Sequence, residues 1–231
     1  MTPFGTFYTP NITSHKSAGI GAWSADDFQR ALHHGVSPNG NDYYPAFPYT
    51  SYTRMLEADV RALQAYILSL PASEQPNRDH ELAWFVDWRT AAWAWKWLFF
   101  SPGELPPQPA QSAQWNRGAY IAEALAHCGE CHTPRNLFGA MQTELAYAGN
   151  SHGPEDELVP NITSHKGTGI GDWSRASLRE FLQFGELPNG EYAVGSMDPV
   201  IEGIRHLTPA DRDALIDYLL ALPPIENRIS R

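Results

Sequence analysis

The chain has 231 residues, a formal net charge of −10 and two cysteines, Cys128 and Cys131. The acidic balance weighs against nucleic acid, which needs a cationic surface, and suits either plain solubility or a partner with a basic docking patch. Two cysteines exclude a small disulfide scaffold, and the longest apolar run, Ala91 to Phe100, is interrupted by Lys96 and falls short of the about twenty residues that span a bilayer.

Met1 to Pro10 shows neither a charged nor an apolar leader region, so no signal peptide is visible. Pro10 opens the segment PNITSHKSAGIGAWS, which returns as PNITSHKGTGIGDWS from Pro160 to Ser174. The offset of 150 residues holds without a gap through Gly40 and Gly190, with more than half of the positions identical. The chain therefore holds an internal duplication of far longer period than a solenoid repeat. Ser24 and Ser174 are placed as helix N-caps, Ser24 with Asp27 three residues on, and Gly35 and Gly185 as C-terminal stops. After a divergent stretch, Leu56 to Pro71 realigns with Thr208 to Pro223 at an offset of 152. Ala58, Leu63 and Ile67, and in the second copy Leu215 and Leu219, recur at helical spacing, and Thr208-Pro209 reads as a cap with proline in the first turn. No alternating strand pattern stands out.

These patterns divide the chain into a first copy over residues 1–71, a bridge over 72–114 and a second copy over 115–231. The bridge carries Trp84, Trp88, Trp93, Trp95 and Trp97 ahead of the Pro-rich SPGELPPQPA. Trp93 and Trp97, four apart, share a helix face. The expectation is an aromatic helix packed between the copies; the alternative is a patch for a membrane surface or a partner.

Cys128, Cys131 and His132, within HCGECHTPRN, spell C-x-x-C-H, the c-type haem attachment pattern. Two thiols three positions apart on a helical turn can each bond one vinyl group of a porphyrin, and the next residue then lies beneath the iron as an axial ligand. A thioredoxin-like pair needs an alternating strand–helix context, which is absent, and a structural zinc site needs four ligands, for which there is no second cysteine pair. Met197, in VGSMDPV, is the candidate second axial ligand: it sits between Gly195 and Pro199 and is expected in a loop. The competing reading is a core methionine.

The second copy resembles a class I cytochrome c domain: RGAYIAEALAHCGECHTPR is similar to its first helix and haem motif, GSMDPVI to its methionine loop, and LTPADRDALIDYLLALPP to its closing helix. The whole chain resembles the bacterial two-haem cytochromes c, including the cytochrome subunits of membrane-associated dehydrogenases, through TPFGTFYTPNIT, GIG-x-WS and YPAFPYTSYT. The resemblance implies an all-α, loop-rich fold of tandem class I cytochrome c-like domains with the first incomplete, haem c as cofactor and export to the periplasm. It further implies electron transfer between redox partner proteins: a dehydrogenase subunit on one side, a terminal oxidase or another cytochrome on the other, with peripheral membrane association and no nucleic acid. Carried over residue by residue, Gly118 and Tyr218 fit the crossing of first and last helices, the Pro160 carbonyl fits the acceptor for the proximal histidine's far nitrogen, and Trp173 or Arg135 fits a haem propionate.

By the 150-residue offset, the first copy's haem motif falls upstream of Met1, so the sequence is expected to be a truncated or mis-started reading of a longer protein, with a second haem in the complete one; the alternative is a true product whose first domain has lost its haem and buries little core of its own. At the same offset Met197 aligns with Phe47, which cannot bind iron. Met55 is then another ligand or helix-start packing, and an open first-haem iron is the one support for an alternative function, a haem enzyme of dehydrogenase or peroxidase type acting on a small inorganic substrate. A non-redox docking module is the third reading. His15 and His165 recur in both copies and so are not special ligands, and His33 and His34 are expected at the surface.

Overall fold

The computed structural model describes residues 4–84 and 89–230; Trp88 lies outside the described residues. Its contacts divide the chain into two units, Met1–Leu105 and Pro106–Arg231. The division falls inside the stretch expected as a bridge, and the tryptophan-bearing part of that stretch belongs to the first unit.

The first unit contains α1 (Ala25–His34), α2 (Tyr49–Tyr52), α3 (Glu57–Ser69) and α4 (Arg89–Phe99). Ser24 closes a capping box with Asp27, and Gly35 ends α1 at φ 58°, a left-handed conformation that glycine adopts at little cost. A feature that the sequence patterns did not reveal is an antiparallel pair, β1 (Gly5–Thr6) with β2 (Glu81–Leu82). Two residues are too few to show a period. The pair depends on Gly5 at φ 123°, where a Cβ would lie 2.3 Å from the Glu81 carbonyl oxygen.

On α4, Trp95 is half-buried against Phe99 at 5.5 Å, but the expectation of packing is not met at Trp93 and Trp97. Lys96 turns inward, donating from Nζ to Asp42 Oδ1 at 2.5 Å and to the Gly35 carbonyl at 3.3 Å. Trp93 and Trp97 lie to either side of it along the helix and face outward, 60% and 75% exposed. His33 is also corrected: it is buried beside Ala31 and Leu32, while His34 alone of the pair is exposed.

The second unit contains α5 (Ala113–Tyr120), α6 (Gly129–His132), α7 (Arg175–Phe184), α8 (Met197–Arg205) and α9 (Pro209–Leu220). Ser174 caps α7 through the Ser177 N–H, and Thr208 caps α9 through the Asp211 N–H. The core of this unit is the crossing of α5 and α9. A Cβ on Gly118 would lie 2.0 Å from the Ala214 carbonyl oxygen and 2.8 Å from Tyr218 Cβ, so the two backbones meet through the missing side chain. Trp115 packs edge-on against Tyr218 at 5.1 Å. Arg117 clamps Asp211 with two hydrogen bonds, 2.7 and 3.0 Å, which hold that carboxyl below the usual carboxylate range.

The same sequence in the first unit is packed differently. Helix α3 is the counterpart of α9 and packs against α1, burying Val60. Tyr66 is the counterpart of Tyr218, yet it is 63% exposed against 4%. No counterpart of α5 lies on that face among the described residues.

The crossing gives a direct expectation. Gly118→Val forces a branched side chain into backbone atoms and should cost about 3 kcal/mol or more. Gly190→Ala is the reference: it has nothing within 4 Å and φ 83°, so it should cost only about 1 kcal/mol of backbone strain. Chemical denaturation of the two variants checks the difference.

Candidate functional site

Helix α5 does not end at Tyr120. It widens into a π-turn over Ile121–Leu125, with the Ala126 N–H donating to the Ile121 carbonyl at 2.8 Å. The chain then leaves through His127 at φ 41°, and the Cys128 N–H returns to the Ala122 carbonyl at 2.9 Å. A non-glycine residue with positive φ joined to a π-turn is a local irregularity of the kind found at functional sites. It re-aims the backbone so that α6 presents Cys128, Cys131 and His132 from one helical turn. The His132 N–H closes on the Cys128 carbonyl at 3.0 Å.

Both cysteines are free and half-buried. Burial pushes the Cys128 thiol up to about 12 and raises Cys131 as well, so both sulfurs carry their protons. His132 is buried, 7% exposed, and burial pulls its ring below the usual imidazole value. The ring is therefore neutral, with one N–H and one lone pair. Its Nδ1 lies 2.7 Å from the Pro160 carbonyl oxygen. A carbonyl can only accept, so Nδ1 carries the hydrogen and Nε2 carries the lone pair. That is the tautomer a metal needs. The Gly149 N–H donates to the carbonyl of His132 itself at 2.7 Å, fixing its backbone as well as its ring.

Met197 opens α8 instead of lying in a loop. The Ser196 N–H donates to Glu157 at 3.2 Å, and a Cβ on Gly195 would lie 2.3 Å from the same carboxylate. The Glu157 charge also acts on Cys131, raising its thiol. Glu157 thus anchors the turn before Met197; it sits in an acidic loop run that gave no sequence signal. The Arg135 guanidinium is committed within its own hairpin, donating to the Gly139 carbonyl at 2.8 Å, the Glu130 carbonyl at 3.1 Å and the Glu130 carboxylate at 2.5 Å. Trp173 is half-buried and packs edge-on against Phe181 at 5.5 Å.

In the first unit, Phe47 stands between Tyr43 and Tyr52, each at 5.6 Å, and Met55 is buried in the core. His15 and His165 serve their own loops, His15 accepting from the Ala18 N–H and His165 pairing with the Thr168 hydroxyl.

Behind the cysteine turn lies a polar cluster that sequence reasoning missed. The Tyr218 hydroxyl donates to Glu123 on the π-turn at 2.6 Å, and the Tyr147 ring lies 6.2 Å from that of Tyr218. Burial raises both phenols well above their ordinary value.

The donor set fits a covalently held porphyrin: two thiols on one turn and a buried neutral imidazole with its far nitrogen tied back. Among the described residues no group of three or more His, Cys, Asp or Glu is arranged to hold a metal ion by itself.

No family model matches the chain. It is 39% identical over 230 residues to a diheme cytochrome c-type protein of Cereibacter sphaeroides, an alignment covering 97% of this chain and 74% of that one. It is 37% identical to the gluconate 2-dehydrogenase cytochrome c subunit of Pantoea cypripedii and 36% to the fructose dehydrogenase cytochrome subunit of Gluconobacter japonicus, covering 96% of this chain in both cases. The chain spans about half the length of those two subunits, 52% and 46%.

The phenol cluster predicts an alkaline limit. In the unfolded chain tyrosines ionise near pH 10, while folded Tyr218 and Tyr147 keep their protons. Their contribution is therefore complete below about pH 10 and declines as the pH rises further. Tyr218→Phe should lose about 1.5–3 kcal/mol at neutral pH, the range for a hydrogen bond to a charged group, and its stability should fall less steeply above pH 10 than that of the parent. Urea denaturation at several pH values measures both.

Proposed function

The chain belongs to the diheme cytochrome c family, and we propose on that footing that it is a one-electron carrier on the periplasmic side of a membrane, taking electrons from a dehydrogenase and passing them to a terminal oxidase or another cytochrome. The observation that carries the reading is the neutral, tied-back His132 ring directly after the two thiols. Cys128 and Cys131 would hold haem c through thioethers, and His132 Nε2 and Met197 would be its axial ligands. Bound there, a haem supplies reversible one-electron chemistry, and a histidine–methionine pair raises its potential. The residues around it would orient the imidazole through Pro160 and anchor the turn before Met197 through Glu157.

Partner and location are inferred from the same relatives: the gluconate and fructose dehydrogenase proteins are cytochrome subunits by name. No described helix is long and apolar enough to cross a membrane, which is compatible with peripheral association. The first unit, we suggest, is the lobe of a second haem. Its Pro10 segment repeats the loop that holds Pro160, down to the hydrogen bonds from Thr13 to Asn11 and from Asn11 to the Ser73 carbonyl.

The test is ligand saturation of the attached haem. Reduced protein should show no spectral change under carbon monoxide. Met197→Ala should bind carbon monoxide and have a lower midpoint potential. Ready binding of carbon monoxide by the parent, or an unchanged potential in the variant, would remove Met197 from the iron and favour catalysis over electron carriage.

A further inference from the structure

The Pro160 carbonyl belongs to the peptide group that it shares with the nitrogen of Asn161, so what fixes Asn161 also fixes the carbonyl. Asn161 is 3% exposed, and its side chain is satisfied on both ends. Its Oδ1 accepts from the Thr163 N–H at 2.8 Å and the Thr163 hydroxyl at 2.7 Å, and its Nδ2 donates to the Ile225 carbonyl at 2.8 Å and to Thr168 Oγ1 at 3.2 Å. The Ile225 N–H returns to Thr163 Oγ1 at 3.3 Å.

Ile225 lies beyond the end of α9, in the irregular tail that follows Leu222. That tail runs back over the proximal side of the site. Asn227 Nδ2 donates to the Ala148 carbonyl at 3.0 Å. The Ile229 side chain occupies the place of a missing Cβ on Gly149, 2.1 Å from where that atom would be. Gly149 is the residue that grips the His132 carbonyl, and its φ of 91° suits glycine. Both anchors of His132, the Pro160 carbonyl on its ring and the Gly149 N–H on its backbone, are thus backed by the same strap of chain.

We infer that the C-terminal strap Ile225–Ile229, acting through Asn161 and Thr163, is a tuning device for the axial histidine: it presses the Pro160 carbonyl onto Nδ1–H and so sets the electron donation of the ring to the iron. The inference rests on the haem reading above. Asn161, Thr163 and Asn227 are positioning residues that do not touch the cofactor. A tight bond from Nδ1–H to a carbonyl makes the imidazole a stronger donor, which favours oxidised iron. Loosening the strap therefore raises the potential.

The repeat supplies an internal control. Thr13 makes the same bonds in the first unit, donating to Asn11 Oδ1 at 2.7 Å and accepting from the Ser73 N–H at 3.0 Å, while Asn11 Nδ2 donates to the Ser73 carbonyl at 2.8 Å. No imidazole meets the Pro10 carbonyl among the described residues.

The experiment compares Thr163→Val, Thr163→Ser and Thr13→Val in the haem-loaded chain, reading the midpoint potential and the hydrogen exchange of the axial histidine Nδ1–H by NMR of the reduced protein. Thr163→Val should shift the reduction equilibrium toward the reduced state by up to about tenfold, about 59 mV for one electron, and should speed that exchange. Thr163→Ser and Thr13→Val should leave both unchanged. Asn227→Ala, away from the buried network, should move both readouts in the same direction by less and serves if Thr163→Val does not fold. Unchanged potential and exchange in Thr163→Val and Asn227→Ala, or an equal response to Thr13→Val, would overturn the strap while leaving the haem reading intact. Parent protein without an axial-histidine signal would instead overturn the haem reading and the strap with it.

Discussion

The hydrogen bond from His132 Nδ1 to the Pro160 carbonyl, 2.7 Å long, is the constraint to which the rest of the second unit answers. It joins residues 28 apart in sequence, decides which ring nitrogen keeps its proton, and leaves the other free for a metal. Burial keeps the ring neutral, and neutrality makes the tautomer meaningful. The π-turn after α5 and the positive φ of His127 deliver the ring to that carbonyl, while the crossing of α5 and α9 through Gly118 gives the turn a rigid base. Local irregularity at the site is thus supported by close packing immediately behind it.

The duplication shows how far a common sequence dictates a common structure. Where the backbone bonds within its own loop, the two copies agree closely: the Gly19 N–H bonds the His15 carbonyl at 3.0 Å, and the Gly169 N–H bonds that of His165 at 3.0 Å. Where a segment depends on a distant partner, they part. Tyr66 and Tyr218 occupy equivalent places on equivalent helices, but among the described residues only Tyr218 is buried against a crossing helix, while Tyr66 is exposed. Burial here is a property of the neighbour, not of the tyrosine.

The same distinction separates what could be read in the sequence from what could not. Caps at Ser24, Ser174 and Thr208 and the stops at Gly35 and Gly185 were legible because each rests on residues within one turn. The C-x-x-C-H motif was legible because its three members are nearly contiguous. The roles of Gly118, Tyr218 and Pro160 came from family resemblance, since nothing local to them points across the fold. The inward turn of Lys96, and with it the exposure of Trp93 and Trp97, depends on Asp42, 54 residues away. The Glu157 link, the Glu123–Tyr218 bond and the strap at Ile225 likewise join distant positions whose residue types are ordinary by themselves. The Asn-x-Thr shared by both copies, Asn11 to Thr13 and Asn161 to Thr163, was the one sequence trace of these bonds, and its meaning depended on the distant segment it grips.

The central claim is that Cys128 and Cys131 carry a porphyrin whose iron sits on His132. Its most direct test is the intact mass of the denatured chain, purified from a host that attaches haem to exported proteins. The mass should equal the polypeptide plus one haem, retained through denaturation and reduction. The bare polypeptide mass, with both thiols free under those conditions, would contradict the account.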